Sequence, residues 1–471
     1  MVTQEIGISE AECASRNLSP VKKAVEFSKL RKTHIVVAGT IFAFNGSLGA
    51  SLPSGSSSVI AEAFQISENN TRIVLLNSLY LVGFVVGPLF FGPLSECVGR
   101  RPVFIGTYLA YTCFTLGCAL SPTFAALLVF RFLAGVSGSA PNALLGGLYS
   151  DIYNEPNRRG RAMAIFMFTA IAGPMAGPLV SSFTVLLSWC WVFWVALIIA
   201  GAGVPVILLL PETYLPVLLE NDREMSHRVG GDQTHRVKAQ FSPSKIFIRP
   251  FSMLLKEPIV SFTSLYLSVV YGILFLFFQA YPLTFKGLYG LSNSVNGLAF
   301  IPMIFGVFLG LCLVLVYASY HSKALAAGQS WASVEEYRRL PLACVGAPLL
   351  VIALFWLGWT SYKSIHPALP MMAGIFFGCG YLLVFTAMLN YLTDAYKESS
   401  ASAQAAASAT RAVMAVVLPF AATPMYTNLG IHWASSLLGF LVFALAWIPF
   451  AFIKYGRLIR QKSGIAVEPL G

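Results

Sequence analysis

The sequence predicts an all-α integral membrane protein whose twelve transmembrane helices fall into two groups of six. Of its 471 residues, 56% are hydrophobic and only 11% are charged, a composition far from that of a soluble domain. The apolar residues come in blocks of roughly 20, the length that crosses a ~30 Å hydrocarbon core. The blocks, such as 342–359, are continuous apolar runs without the alternating segments of about ten residues that barrel strands show. Helices, not a barrel, are therefore expected.

Turn and charge punctuation places each span in order. Residues 1–33 are polar, carry no apolar signal-peptide core, and are expected to stay on the synthesis side as a cytoplasmic tail. The first six-helix bundle, 34–210, has spans starting near His34, Leu76, Pro102, Phe124, Ala162 and Ser188. The one long polar stretch, 211–256, holds Asp222, Arg223, Glu224, His227, Arg228, Arg236, Lys238, Lys245 and Arg249 and divides the chain. The second bundle, 257–453, has spans starting near Glu257, Asn293, Leu342, Ala368, Ala401 and Ile431, and 454–471 form a carboxyl tail.

Charge placement orients the map. Of the 31 Lys and Arg residues, Arg72, Lys286 and Lys363 fall on one side and Arg131 and Arg411 fall inside spans. All the others lie in the two tails and in the loops after spans 2, 4, 6, 8 and 10. The positive-inside rule makes that side cytoplasmic, with both termini and the central loop. Orientation and headgroup contact thus account for the +11 net charge, and no nucleic-acid partner is expected. The eight cysteines and six histidines are scattered without ligand spacing, so no disulfide framework, metal site or cofactor is expected.

Three motifs stand out. The loop after span 2 reads Gly92-Pro93-Leu94-Ser95-Glu96-Cys97-Val98-Gly99-Arg100-Arg101-Pro102. Its glycines allow a tight turn, and its acid and arginines can meet a helix terminus, carboxylates or headgroups, contacts able to lock one conformation. Span 4 carries Arg131 in an apolar run, with Asn142 further on and Asp151 at its cytoplasmic end. An arginine at that depth costs about 2.5–3.5 kcal/mol on insertion scales, so it should face a cavity or a partner. Span 5 carries Gly173-Pro174-Met175-Ala176-Gly177-Pro178-Leu179-Val180-Ser181. Gly173, Gly177 and Ser181 line one helix face as a small-residue seam. Pro174 and Pro178 leave the carbonyls of Ala170 and Pro174 without helical donors, which predicts a kink.

With these motifs and the six-plus-six division, the chain resembles the major facilitator superfamily, specifically its fungal drug:proton antiporter branch with twelve spans. Pro211-Glu212-Thr213-Tyr214, Arg339-Leu340-Pro341, Tyr391-Leu392-Thr393-Asp394-Ala395-Tyr396 and Tyr455-Gly456 fit that branch too. The resemblance implies two bundles rocking around a central cavity. It also implies a conformational latch at Gly92, Glu96, Gly99, Arg100 and Arg101, an Arg131 that takes part in proton transfer, and a span 5 motif associated with antiport. The chain departs from the pattern where Glu96 and Cys97 stand for an Asp and a basic residue. Ser181 and Ser182 stand for two glycines, and the branch's amino-terminal Asp-Pro and Asn-Trp run is absent.

No Asp or Glu lies in the middle third of a proposed span, so the expected cavity is cationic or neutral. Its candidate lining is Asn45, Arg131, Asn142, Tyr271, Phe278, Gln279 and Asn390, with span 7 especially aromatic. Large neutral or weakly anionic aromatic compounds fit it best. The expected function is export of a hydrophobic xenobiotic or secondary metabolite across the plasma membrane by a monomer. Without a carboxylate deep in the cavity, protons would load on Glu96 or Asp151. The alternatives are a nutrient importer on the same scaffold and a non-transporting sensor, which the short carboxyl tail argues against. No nucleophile, base and oxyanion constellation suggests an enzyme. The expected partners are the small-molecule substrate, protons and the lipid bilayer.

The orientation is testable directly. A reporter fused near Asp232 should read cytoplasmic, and an external signal there would overturn the topology. Asn69, in the one sequon placed outside, is the expected glycosylation site, read as an endoglycosidase-sensitive band shift.

Overall fold

The computed structural model describes residues 24–66, 71–184, 187–215, 217–218, 243–396 and 400–462. Asn69 lies outside them, as does the Glu96 side chain. The described residues form helices and no strand. Eleven stretches are long and apolar enough to cross a membrane: Lys29–Ala63, Arg72–Ser95, Arg100–Ala119, Phe124–Ile152, Arg158–Thr184, Trp191–Leu208, Pro258–Leu288, Asn293–Ala326, Glu335–Thr360, Ala368–Ala395 and Ser402–Gln461. The last is too long for one crossing and is broken at Gly430, where φ 75° and ψ 165° leave the helical region. A side chain is strained at that φ, so glycine makes the turn from span 11 to span 12. Twelve spans result, with both groups of six as expected.

Two boundaries move. Span 9 begins at Glu335 rather than Leu342, and the last helix runs on to Lys462, past the expected tail start at 454. One interaction explains both extensions. Arg460, only 4% exposed, forms ion pairs with Glu335 and Glu336, and the two acids occupy the first turn of span 9, where the helix dipole favours negative charge. Residues that composition marks as loop and tail are thus helical because each supplies the other's counter-charge. The central polar stretch also ends in a helix, Pro243–Lys256, ahead of span 7.

Proline placement sets the shape of the first bundle. Span 1 is α-helical to Ser51 and then tightens into a 3-10 turn, Leu52–Ser56, at Pro53. Span 5 keeps Pro174 and Pro178 inside a continuous helix. The Pro174 carbonyl, deprived of a donor by Pro178, accepts a hydrogen bond from Ser51 Oγ of span 1 at 2.5 Å. Gly173 and Gly177 face the same neighbour. A Cβ on Gly173 would lie 2.1 Å from Ser47 Oγ, and one on Gly177 2.1 Å from Ser51 Oγ and 3.0 Å from the Leu52 nitrogen.

The bundles meet chiefly where span 5 packs on span 8 and span 2 on span 11. Ser294 Oγ donates to the Ser182 carbonyl at 3.4 Å, and Ser78 Oγ to the Val416 carbonyl at 3.5 Å. These are long, weak bonds. They suit an interface that must open more than one that must hold.

The span 1–span 5 seam yields a paired test. Gly177→Leu has no room against span 1 backbone and should lose folded protein at the membrane together with transport. Gly106→Leu, on an exposed face with nothing within 4 Å, should leave both unchanged. Equal abundance and activity of the two variants would show that the seam is dispensable.

Candidate functional site

Arg131 is 2% exposed yet makes no ion pair among the described residues. Its Nε donates to the Leu76 carbonyl at 2.9 Å, and its two terminal nitrogens to the carbonyls of Gly49 at 2.6 Å and Ala50 at 3.4 Å. The Tyr80 ring lies 4.4 Å from its Cζ, close enough for a cation–π contact. Two of those carbonyls are available for a local reason. Pro53 stands four residues after Gly49 and three after Ala50, so it supplies no N–H to either as an α or a 3-10 donor. The guanidinium replaces the missing donor and ties span 4 to spans 1 and 2.

At the end of this bundle where spans 2 and 3 join, Gly99 has φ 106° and separates their helices. The exposed N–H groups of Arg100 and Arg101 both donate to the Glu212 carboxylate, at 3.1 Å each. Glu212 also accepts from the N–H groups of Thr213 and Tyr214 at 2.8 and 2.9 Å. A carboxylate from beyond span 6 thus caps the positive end of span 3. A Cβ on Gly99 would sit 2.7 Å from Glu212 Oε2, so this residue must be glycine on two counts. The Arg100 side chain turns the other way. Its Nε donates to Asp151 Oδ2 at 2.5 Å, Thr213 Oγ1 bonds the same oxygen at 3.3 Å, and the Tyr214 ring lies 5.4 Å from Cζ. Arg101 is exposed, and Gly92 stands on span 2 with its nearest neighbour, Ala143 of span 4, at contact distance.

The remaining expected lining residues are dispersed. Asn45 is buried, donating to the Ile41 carbonyl at 2.9 Å and weakly to Tyr108 Oη, with its own Oδ1 unpaired. Asn142 is exposed, while Gln279 and Asn390 are half-buried. Tyr271 and Phe278 belong to an aromatic wall: Tyr271 packs on Phe275 and Phe385, and Phe278 on Phe275 and Phe300. Tyr381 stacks on Phe385 at 4.3 Å. Arg411 of span 11 closes the group, with Cζ 6.0 Å from Tyr271 and 5.5 Å from Phe385. An Arg–Tyr pair thus stands in each half, Arg131 with Tyr80 and Arg411 with Tyr271.

The sequence pattern described as Major Facilitator Superfamily matches residues 37–419, spanning both bundles. The chain belongs to the major facilitator superfamily. It is similar to the efflux pump FUBT of Fusarium oxysporum, 36% identical over 452 residues, covering 93% of this chain and 75% of that protein. It is similar also to the MFS-type transporter traF of Penicillium crustosum, 34% identical over 443 residues, 93% of this chain and 90% of that protein. A third relative, the MFS-type efflux pump MFS2 of Trichophyton rubrum, is 35% identical over 463 residues, 96% of this chain and 76% of that protein.

Superfamily members carry internal repeats, and the second bundle echoes the first at the corresponding end. Arg339 at the start of span 9 donates from Nε to Asp394 at the end of span 10 at 3.0 Å, as Arg100 does to Asp151. The third partner changes sign. Glu212 beyond span 6 caps a helix that lacks acids, whereas Arg460 near the end of span 12 neutralises a helix that begins with two. Glu212, Arg339, Asp394, Arg460 and Arg411 are absent from the expected site. Their signals were present: Glu212, Arg339 and Asp394 lie in segments that resemble the family, and Arg411 is one of two basic residues inside spans.

A double substitution tests the Arg131 arrangement. Arg131→Ala strands buried carbonyls at about 1–3 kcal/mol each and should reduce membrane abundance and abolish transport, with Arg131→Lys keeping a remnant. Pro53→Ala restores an N–H four residues after Gly49 and should recover part of the abundance lost in Arg131→Ala. Additive losses would show that the Gly49 carbonyl is not the critical partner.

Proposed function

We propose that this transporter exports hydrophobic small molecules, aromatic and neutral or weakly anionic, out of the cell by alternating access. The observation that carries the proposal is the similarity over nine-tenths of the chain to two efflux pumps and an MFS-type transporter. The midline chemistry supports the substrate class. Tyr80, Tyr271, Tyr381 and Phe385 offer flat apolar surfaces, and Arg131 and Arg411 offer positive charge without a nearby carboxylate. Such a surface favours aromatic rings and carboxylate or phenolate groups and disfavours organic cations.

Proton antiport is the energy source we assign, acting at the plasma membrane in a monomer. The carboxylates among the described span residues sit near span ends, so a proton must act on the cytoplasmic clusters rather than mid-cavity. Asp151 is the best placed of them. Neutralising it would break the 2.5 Å pair with Arg100 and release the loop whose backbone Glu212 holds. Binding of a proton and motion of the span 2–3 loop would then be linked. Glu96, in the same loop, is the second candidate.

The test is export of a compound panel from a host lacking its own pumps. Wild type should lower intracellular aromatic acids and neutral aromatics, and an ionophore should halt extrusion against a gradient. Asp151→Asn should retain downhill flux while losing accumulation. Inward accumulation would make the protein an importer, and full extrusion with ionophore present would remove protons from the mechanism.

A further inference from the structure

A cavity of about 310 Å³ opens at the cytoplasmic end of the bundle interface, bounded by the start of span 5, the end of span 8, the start of span 9 and the inner part of span 10. Its volume falls at the lower end of the range of small-ligand sites. Its charge is one-sided: Arg161 enters from the first bundle, Lys323, Arg338 and Arg339 from the second, and no carboxylate among the described residues lines it. Only Arg339 has an ion-pair partner, Asp394. Arg161, Lys323 and Arg338 make no ion pair or hydrogen bond among the described residues. Arg338 faces the like charges of Arg339 beside it and Arg159 of the opposite bundle, with Asp394 and Glu335 as the acids on its own side.

The walls also hold unpaired polar atoms. His321 is 7% exposed with Nε2 buried and unpartnered, and Thr386 Oγ1 is likewise buried without a partner. Buried polar groups in folded proteins are nearly always bonded. Here two orphans share a cavity with three unpaired cations. Like charges brought together from two bodies oppose closure of the interface unless an anion lies between them. A cavity at the cytoplasmic ends of helices lies at headgroup level, where anionic lipid phosphates concentrate beside basic side chains.

We propose that this cavity is a phosphate site clamped between the two bundles. Arg161 and Arg338 bind the oxyanion from opposite sides, Lys323 adds charge at the mouth, Thr386 donates from the wall, and His321 Nε2 accepts from a ligand hydroxyl, the protonated oxygen of free phosphate or a sugar hydroxyl of the headgroup. Occupancy holds span 5 against spans 8 to 10 at the cytoplasmic face and so favours the state closed there. The phosphate has two available sources, the headgroup of a phospholipid in the inner leaflet and free phosphate from the cytosol.

Thermal unfolding of the purified full chain separates them and needs no transport assay, so it stands apart from the export proposal. Inorganic phosphate is added to protein in nanodiscs of phosphatidylcholine. In parallel, phosphatidylinositol replaces part of the phosphatidylcholine without phosphate. The wild type should gain several degrees in Tm in at least one arm, because a ligand specific to the folded state stabilises it. A gain with phosphatidylinositol alone identifies the headgroup as the source, and a gain with inorganic phosphate identifies the free ion. Arg161→Gln/Arg338→Gln should lose the gain. Arg161→Glu places a carboxylate opposite Arg338 and Lys323, and should reach the wild type's ligand-bound Tm without probe and rise no further. Absence of a gain in both arms, or a wild-type gain surviving in Arg161→Glu, overturns the proposal.

Discussion

A hydrocarbon solvent tolerates no unpaired carbonyl, and most of this structure's departures from a plain helix bundle follow from that constraint. Every proline within a span removes one donor. At Pro53 the loss is met by a guanidinium from span 4, and at Pro178 by a serine hydroxyl from span 1. Each repair comes from a different helix, so each defect doubles as a tether. Span 4 holds span 1, and span 1 holds span 5. The prolines allow bends that a rocking transporter needs, while the borrowed donors restrict the bend to arrangements in which they still reach.

The helix ends on the Gly99 side follow a second constraint, set by charge. Helix termini there are fixed by carboxylates and arginines drawn from segments far apart in sequence: Glu212 on the span 3 terminus, Asp151 on Arg100, Asp394 on Arg339, Arg460 on Glu335 and Glu336. These contacts lie within bundles. The hydrogen bonds described between bundles are long hydroxyl–carbonyl ones, and apolar side chains such as Ala164 against Val314 and Leu383 pack beside them.

The span count was legible because it rests on a one-dimensional quantity, the length of apolar runs. The boundaries that moved, at Glu335 and after Lys454, are places where charge marked the end of a span but a distant counter-charge let the helix continue. No local pattern reveals that Arg460 finds Glu336. The span 5 seam could be read as a face, whereas its neighbour could not, since spacing says which residues align and not which helix they meet. Arg131 lies between these cases. Its need for a partner was evident from its depth, and the carbonyls it serves are explained by Pro53, a local feature whose meaning appears only once spans 1 and 4 are side by side.

Glu212 and Arg460 share a position in time as well as in space. Glu212 follows the last span of its bundle and Arg460 stands near the end of its own, and each completes a cluster begun more than a hundred residues earlier. During synthesis the start of span 3 remains uncapped until Pro211–Tyr214 has left the ribosome, and Glu336 waits for the final turns of the chain. A bundle therefore cannot reach its finished form ahead of its last helix. A nascent chain that stalls before these residues leaves the span 3 N–H groups or the span 9 carboxylates without their partners.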